Sequence, residues 1–162
     1  MPVIFFCENN FFSVYTHLSE RQPASRTIAD LARVHGVESR YIDGNDALKV
    51  YQTAKEAKEW GLAGKGPFFI EAVTYRWREH CGPSYDNSLG YRSEADFQAW
   101  KTKDPIVRLT KDLLDQRVAT QGDLERELNS IHAEVADSLD YARRSPFPPE
   151  SDLSANLYPP ER

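Results

Sequence analysis

Two amide side chains follow the most apolar segment of the chain, at a position suited to ligand binding. Residues 3–7 (VIFFC) form a continuous apolar run, typical of a strand buried on both faces, and Asn9 and Asn10 come shortly after it. Ligands of open α/β sheets bind at the carboxyl ends of strands, and Asn carbonyl oxygens suit Mg²⁺ or Ca²⁺. Asn9 and Asn10 are therefore candidate metal ligands. The alternative is a turn in which both amides hydrogen-bond the nearby backbone.

A second candidate group lies in residues 74–92, where helical and strand periodicity both disappear. His80 has Arg76 and Arg78 close to it in sequence. Two guanidinium groups and an imidazole can hold a phosphate or a carboxylate. The alternative is a long ordered loop in which the arginines pair with acidic residues of the same loop, such as Asp86.

Three other features favour structural roles. Cys7 and Cys81 lie far apart and form neither a disulfide framework nor a cysteine-based zinc site, which fits a reducing, cytoplasmic compartment. Cys81 is a weak candidate nucleophile, because side chains adjacent in sequence, as it is to His80, seldom face one another. Residues 43–46 (DGND) lack the downstream glutamate of a calcium loop, so they indicate a strand-to-helix turn.

Composition excludes several classes of protein. The chain has 162 residues, 40% of them hydrophobic and 28% charged, as expected for one soluble globular domain. The formal net charge of −5 lacks the basic excess of a general nucleic-acid binder, so we expect no nucleic-acid partner. Its longest apolar run is far too short to span a bilayer, so we expect no membrane partner either.

The elements that would position these groups alternate between strand and helix. Apolar runs predict strands at residues 3–7, 37–42 and 67–73, and capping signals and apolar spacing predict helices at residues 28–35 and from residue 47 onward. This alternation favours a parallel α/β sheet with flanking helices.

The second half of the sequence is helical. Capping signals predict three helices, beginning after Ser93, at Asp104 and Pro105, and after Thr120. The last helix carries an apolar stripe that predicts a core-facing side: Leu124, Leu128, Ile131, Val135, Leu139 and Ala142. We therefore divide the chain into an α/β segment at residues 1–92, C-terminal helices at 93–144 and an extended proline-rich tail at 145–162.

An ordered set of motifs resembles one enzyme family. The motifs are residues 2–10 (PVIFFCENN), 41–46 (YIDGND), 66–76 (GPFFIEAVTYR), the His80 loop, 90–92 (GYR) and 104–105 (DP). Together they resemble the alpha subunit of thiamine-diphosphate-dependent 2-oxo acid dehydrogenases of the pyruvate, branched-chain and acetoin type. The family's cofactor motif begins with Gly-Asp-Gly, which this sequence lacks. We therefore expect the carboxyl-terminal half of such a subunit, either a truncated product or one piece of a split subunit.

The resemblance implies roles for three residues. Asn10 matches the asparagine whose side-chain oxygen binds Mg²⁺, and Phe12 matches the position whose backbone carbonyl is a second ligand. His80 matches the histidine that reaches the cofactor diphosphate and the substrate entrance. Phe12 replaces the usual tyrosine, and Glu79-His80-Cys81 replaces the usual Gly-His-Ser, which leaves the 2-oxo acid open.

The resemblance also implies cofactors and partners. We expect thiamine diphosphate and Mg²⁺ as cofactors, a 2-oxo acid as substrate, and a beta subunit that supplies the glutamate activating the cofactor. A separate amino-terminal half would carry Gly-Asp-Gly. The alternatives are a noncatalytic assembly module or inactive remnant of such a subunit, and an unrelated anion-binding α/β protein.

Overall fold

The structure is a computed structural model that describes residues 1–153, 155 and 157. It divides into two compact units, Met1–Asp115 and Gln116–Arg162. The strands are β1 (Ile4–Asn9), β2 (Phe12–Ser13), β3 (Thr16–His17), β4 (Glu38–Asp43) and β5 (Phe68–Val73). The α-helices are α1 (Ile28–Val34), α2 (Ala47–Leu62), α3 (Glu94–Lys101), α4 (Pro105–Asp115) and α5 (Gln121–Arg144).

The first unit is built on a parallel three-stranded sheet of order β1-β5-β4. The central strand β5 pairs with β1 from Ile4 opposite Phe68 to Asn9 opposite Val73. Because all three strands are parallel, their carboxyl ends meet at one edge of the sheet. The predicted fold class, α/β with a parallel sheet and flanking helices, is confirmed, and a short antiparallel hairpin of β2 and β3 adds a feature that the sequence did not predict.

Local capping chemistry sets where the helices begin. The Thr27 hydroxyl accepts the Asp30 N–H and the Asp30 carboxylate accepts the Thr27 N–H, which is the capping box predicted for α1. Asp46 caps α2 by accepting the Lys49 N–H. Gly44 lies in the turn before α2, where its N–H donates to the Val73 carbonyl at 2.7 Å and binds the turn to the end of β5.

The core lies between α2 and the sheet. Phe68 and Ile70 of β5 are 1% and 0% exposed, and Ile42, Ala57 and Ala72 complete the buried cluster. The partly buried Val50 and Trp60 of α2 pack against this cluster. The centre of the sheet is therefore apolar on this face, as expected for a strand covered by a helix.

The first strand lies at an edge of the sheet, and Ile4, Phe5 and Phe6 are 44–50% exposed. Its apolar run is typical of a strand buried on both faces, and in a chain expected to be half of a subunit these faces and the strand edge are expected to be exposed. Its outward backbone edge and both of its faces are only partly covered by the described residues. An apolar run indicates that a strand packs against other residues, but it does not identify the polypeptide to which those residues belong.

Helices α3 and α4 follow the long loop in the first unit, as predicted. Ser93 caps α3, and Phe97 of α3 is buried in an aromatic cluster with Tyr75 and Trp77 of the loop. Arg108 of α4 donates to Asp43 at 2.8 Å and to Asp46 at 2.7 Å. These contacts bind α3 and α4 to the loops at the carboxyl edge of the sheet.

The second unit contains α5, which begins with the predicted capping box of Thr120 and Asp123. The stripe predicted to face a core is exposed instead: no residue of α5 is buried, and Leu128, Ile131, Val135 and Leu139 are 47–53% exposed. The periodicity identified the helix and its apolar side correctly. Apolar spacing does not reveal whether the covering surface belongs to the same chain.

The predicted tail begins in extended conformation at Ser145 and then forms a 3₁₀ turn at Glu150–Leu153. Positions 154, 156 and 158–162 of that tail lie outside the described residues. The segment boundaries at residues 92 and 144 stay predictions. None of the described helices is long and apolar enough to cross a membrane.

Candidate functional site

The segment after β1 is a tight turn formed by its own side chains. Asn9 Oδ1 accepts the Phe11 N–H and Asn10 Oδ1 accepts the Phe12 N–H, both at 2.9 Å. Phe11 has φ of 65° and Val14 has φ of 57°, in the left-handed region that L-residues avoid. The two asparagine turns therefore hold a strained backbone at the carboxyl edge of the sheet. For Asn10, the turn and the metal-ligand interpretations are compatible, because the turn also brings Asn10 Oδ1 close to the Phe12 backbone.

The Phe12 carbonyl is directed away from the hairpin ladder. In β2 and β3, Phe12 lies opposite His17 and Ser13 opposite Thr16. The Leu18 N–H donates to the Phe11 carbonyl at 2.7 Å, and antiparallel pairs alternate between hydrogen-bonded and non-hydrogen-bonded. Phe12 and His17 therefore form a non-hydrogen-bonded pair, in which the Phe12 carbonyl accepts no hydrogen bond from the opposite strand.

Asn9 is structural rather than exposed to a ligand. It is 6% exposed, and its Nδ2 donates to Glu71 Oε1 at 2.7 Å. Glu71 is 1% exposed, and its Oε2 accepts the Ala29 N–H at 2.7 Å near the start of α1. This buried carboxylate joins β1, β5 and α1, so Asn9 holds the end of β1 in place. Sequence analysis named Asn9 and missed Glu71, which lies among apolar residues in the third predicted strand.

Asn10 and Phe12 lie together on the wall of a cavity of the first unit, about 560 Å³ in volume. The described residues that line this cavity include Arg92 and aromatic side chains of the hairpin, the turn before it, the long loop and α3: Phe11, Phe12, His17, Tyr75, Tyr91 and Trp100. Its size suits a cofactor-sized ligand. The Phe12 and Tyr91 rings meet edge to face, 5.3 Å apart.

The long loop is ordered by Asp86, which is 3% exposed. Arg92 donates to one oxygen of its carboxylate, and the Tyr91 hydroxyl donates to the other at 2.6 Å. Burial alone would raise the pKa of Asp86, but the hydrogen bond from Tyr91 and the charge of Arg92 together lower it. Burial and the hydrogen bond to Asp86 raise the pKa of Tyr91. The loop is thus held by a buried ion pair of Asp86 with Arg92, which the sequence did not predict. Of the two arginines in the alternative interpretation, Arg76 lies 3.9 Å from Asp86 and Arg78 donates to the Pro83 carbonyl instead.

Arg76 connects this loop to the hairpin. Its guanidinium donates to the Val14 carbonyl at 3.0 Å and to the Tyr91 hydroxyl at 2.9 Å. Another guanidinium nitrogen lies 3.5 Å from His80 Nδ1. Arg76 therefore has partners on the hairpin, in the loop and at His80.

His80 is exposed and does not line the 560 Å³ cavity within the part of the chain that the structure describes. The tip of the loop around His80 is held by contacts within the loop. The Glu79 N–H donates to the Ser84 carbonyl at 2.9 Å, and the Arg78 guanidinium lies 4.0 Å from the Tyr85 ring centroid. Arg78 thus packs within the loop rather than beside His80. The structure thus brings Asn10 and Phe12 together. Among the contacts of the described residues, Arg76 connects His80 to the hairpin, since it contacts His80 Nδ1 and donates to the Val14 carbonyl.

The oxygen donors of this site suit a magnesium ion. Asn10 Oδ1 and the Phe12 carbonyl are hard, neutral oxygen donors of the kind that Mg²⁺ accepts, and two donors leave most of an octahedral shell to phosphate oxygens, water or other protein ligands. The described residues contain no group of three or more His, Cys, Asp or Glu side chains placed to hold a metal. The residues present thus fit Mg²⁺ as part of a shared site.

The two cysteines take no part in this arrangement. Both are free, and Cys7 lies within β1, where burial and the neighbouring Glu71 and Glu8 raise the pKa of its thiol. Cys81 is exposed at the tip of the long loop.

The chain is similar to known proteins over nearly its whole length. The family described as "Dehydrogenase E1 component" matches residues 1–151. The chain is 34% identical over 160 residues to the pyruvate dehydrogenase E1 component subunit alpha of Porphyra purpurea, covering 98% of this chain and 45% of that protein. It is 34% identical over 154 residues to the 2-oxoisovalerate dehydrogenase subunit alpha of Bacillus subtilis, covering 94% and 46%.

A third relative is the pyruvate dehydrogenase E1 component subunit alpha of Staphylococcus aureus, 38% identical over 127 residues, which covers 78% of this chain and 34% of that protein. The chain spans about half the length, or less, of these relatives. The family match over residues 1–151 confirms the resemblance found in the sequence motifs. The chain belongs to the dehydrogenase E1 component family.

Proposed function

We propose that this chain forms the carboxyl-terminal half of the alpha subunit of a cytoplasmic 2-oxo acid dehydrogenase that uses thiamine diphosphate and Mg²⁺. It would act with an amino-terminal half that carries Gly-Asp-Gly and with a beta subunit. One observation supports this most strongly: the Asn10 turn places a side-chain oxygen beside the Phe12 backbone, at the carboxyl edge of a parallel sheet and on the wall of a 560 Å³ cavity.

Asn10 and Phe12 would hold the metal in this proposal. Each would contribute one neutral oxygen, so neither would add negative charge beside a bound diphosphate. The strained turn fixes both donors before any ligand binds, which reduces the entropy lost on binding. Thiamine diphosphate, when bound, supplies the thiazolium carbon that serves as the electron sink for decarboxylation of a 2-oxo acid.

His80 would donate an N–H to a diphosphate oxygen or to the incoming carboxylate. An Arg76 guanidinium nitrogen lies 3.5 Å from His80 Nδ1, so the contact with the ligand would be made through Nε2. Arg76 also positions the loop against the Val14 carbonyl, so His80 and the Asn10 turn would move together.

Replacement of His80 tests this role. In the enzyme assembled from this chain, the complementary half and a beta subunit, we expect His80→Ala to lower turnover about tenfold or more, since a hydrogen bond to a charged group contributes about 1.5–3 kcal/mol. Stability should change little because His80 is exposed. His35→Ala, at an exposed histidine that follows α1, is the matched control. Wild-type turnover at saturating cofactor would remove His80 from the site.

A noncatalytic assembly module is the second candidate, and the exposed apolar residues of β1 and α5 favour it. These surfaces fit protein partners whether or not the cavity holds a cofactor. The same assembly separates the two functions: a stable complex that fails to bind thiamine diphosphate in the presence of Mg²⁺ would support the assembly module.

A further inference from the structure

A histidine of the hairpin lies beside the Asn10 turn. His17 of β3 pairs with Phe12 of β2, and their rings meet edge to face with centroids 5.1 Å apart. The Phe11 ring stacks on the imidazole, with centroids 6.2 Å apart and 20° between the ring planes. Phe11 and Phe12 therefore fix the orientation of the His17 ring next to the Asn10 turn.

The contacts of Ser19 assign the tautomer of this ring. The Ser19 N–H donates to His17 Nδ1 at 3.2 Å, and the Ser19 hydroxyl lies 2.9 Å from the same nitrogen. A backbone N–H can only donate, so Nδ1 carries the lone pair and the proton of the neutral ring lies on Nε2. Among the described residues, none is hydrogen-bonded to His17 Nε2. The Nε2–H is therefore an oriented donor that a ligand can use.

His17 lines two cavities. Ser19, the partner of Nδ1, lines a cavity of about 200 Å³ together with His17, and it is not among the described residues that line the 560 Å³ cavity. His17 also lines the 560 Å³ cavity, together with Asn10 and Phe12. Because the Nδ1 edge of the ring faces Ser19, we assign the Nε2–H to the cavity that contains the Asn10 turn.

Two charged side chains of the 560 Å³ cavity leave the hairpin side for an anion. Arg92 lines the cavity, but its guanidinium is already bonded to the Asp86 carboxylate and to the Arg76 carbonyl. Asp96 of α3 also lines the cavity, and its negative charge disfavours an anion on the α3 side. His17 is therefore the donor best placed to bind an anion in this cavity.

We propose that His17 is a binding residue that donates its Nε2–H to an anionic oxygen of the ligand in this cavity, from a phosphate or from a carboxylate group. Hydrogen bonds to ionised acceptors are roughly twice as strong as those between neutral groups. The inference rests on the proposed function, in which Asn10 and Phe12 hold a metal that binds the same ligand.

Two substitutions separate the donor at Nε2 from the acceptor at Nδ1. His17→Asn keeps a side-chain oxygen near the position of Nδ1, where it can accept the Ser19 N–H, but its shorter side chain does not reach the position of Nε2. His17→Gln keeps an N–H donor near the position of Nε2 and has no acceptor at that of Nδ1. A binding role predicts weaker anion binding in His17→Asn alone, whereas a purely structural role predicts the opposite order.

The probes are inorganic diphosphate with Mg²⁺ and, separately, pyruvate, each titrated at millimolar concentration into the full chain. Side-chain nitrogen NMR of the histidines follows the titrations. We expect the Nε2–H tautomer at His17 and a saturable shift of His17 Nε2, which assigns the ligand oxygen to phosphate or to carboxylate according to the probe that produces it. Binding should be about tenfold weaker in His17→Asn and within about twofold of the wild type in His17→Gln.

His35→Ala, at an exposed histidine that follows α1, is the matched control and should bind as the wild type does. Thermal midpoints show whether each variant remains folded, and the His17 tautomer and shifts of the wild type decide the proposal if a variant does not. An Nδ1–H tautomer, no saturable His17 shift with either probe, wild-type binding by His17→Asn, or equal weakening by His35→Ala would overturn the proposal. Anion binding through His17 in a chain whose assembly binds no thiamine diphosphate would refute the proposed function and leave the His17 assignment standing.

Discussion

Asn9 and Asn10 are adjacent and of the same type, yet their surroundings give them different tasks. Asn9 is buried and donates to the Glu71 carboxylate, whereas Asn10 is partly buried and lies on the cavity wall. Each also closes a turn through its side-chain oxygen. We infer that Asn9 fixes the end of β1 and that Asn10 offers its oxygen to a ligand.

This division predicts that Asn9→Ala mainly affects stability. The substitution leaves the Glu71 carboxylate buried with the Ala29 N–H at 2.7 Å but without the Asn9 amide. The free energy of unfolding should fall by about 2 kcal/mol, the typical loss when a buried polar group loses its partner. Urea denaturation of Asn9→Ala and Asn10→Ala, side by side, measures the difference. An equal loss in both variants would contradict the division.

Gly44 predicts a second stability effect, because the backbone approaches it closely. A Cβ at this position would lie 2.7 Å from the Val73 carbonyl oxygen and 3.1 Å from the Ala72 Cβ. Gly44→Ala must therefore shift the turn between β4 and α2, and we expect a loss of about 2 kcal/mol by analogy with overpacking. Gly122→Ala in α5 is the control, since its nearest neighbour would lie 3.7 Å away and alanine favours helix. Equal thermal midpoints for Gly44→Ala and the wild type would refute this reading.

At the scale of elements, the long loop is held by a buried ion pair rather than by secondary structure. Asp86 accepts hydrogen bonds from Arg92 and Tyr91. Arg76 connects this network to the hairpin, because it donates to the Tyr91 hydroxyl and to the Val14 carbonyl. Beside it, the rings of Tyr75 and Trp100 stack 5.5 Å apart. The loop and the hairpin therefore form one ordered surface at the carboxyl edge of the sheet.

The lowered pKa of Asp86 gives this network a pH dependence. A carboxyl whose folded-state pKa lies below its unfolded value of 3.8 stabilises the fold at pH above about 4, and that stability is lost as the pH falls through the folded pKa. Asp86→Asn should lower the free energy of unfolding at pH 7 by about 3 kcal/mol, because Arg92 stays buried without its counter-ion. It should also flatten the dependence between pH 4 and pH 2.

Denaturation curves from pH 2 to pH 7 for the wild type, Asp86→Asn and Asp115→Asn measure this effect. Asp115 forms an exposed ion pair with Lys111, so its replacement should change stability by less than about 0.5 kcal/mol. The same acid dependence in Asp86→Asn and the wild type would show that the loop is held by other contacts.

The sequence predicted the secondary-structure elements better than their burial and their long-range contacts. The three sheet strands, the helices and the capping boxes at Thr27 and Thr120 follow from local periodicity and side-chain chemistry, which act within a few residues. The hairpin of β2 and β3 was missed, because each strand has two residues and its turn contains Val14 at positive φ. The Arg76 contacts span up to 62 residues, so no local pattern could reveal them.

For the candidate site, the family resemblance named Asn10, Phe12 and His80, and the structure shows the first two on one cavity wall. Their roles stay predictions. The burial expected for the apolar stripe of α5 was wrong, because none of its residues is buried, whereas the partial exposure of β1 agrees with the expectation for half of a subunit. Burial depends on the complete set of packed surfaces, which a periodic pattern in one segment does not contain.

At the scale of the whole molecule, we propose that the chain carries part of a site and part of a sheet. In this proposal the Asn10 turn would offer two oxygens to Mg²⁺, which prefers about six ligands, and β1 has an apolar face that the described residues leave about half covered. The chain covers 45–46% of the length of the relatives from Porphyra purpurea and Bacillus subtilis.

Calorimetric titration of thiamine diphosphate in the presence of Mg²⁺ tests this account most directly, with the chain alone, the chain assembled with its complementary half and a beta subunit, and the same assembly carrying Asn10→Ala. We expect no binding by the chain alone at micromolar cofactor, binding by the assembly, and binding at least tenfold weaker with Asn10→Ala that added Mg²⁺ partly restores. His35→Ala in the assembly is the control. Tight binding by the chain alone would contradict the shared site, and wild-type affinity in the Asn10→Ala assembly would remove Asn10 from the metal shell.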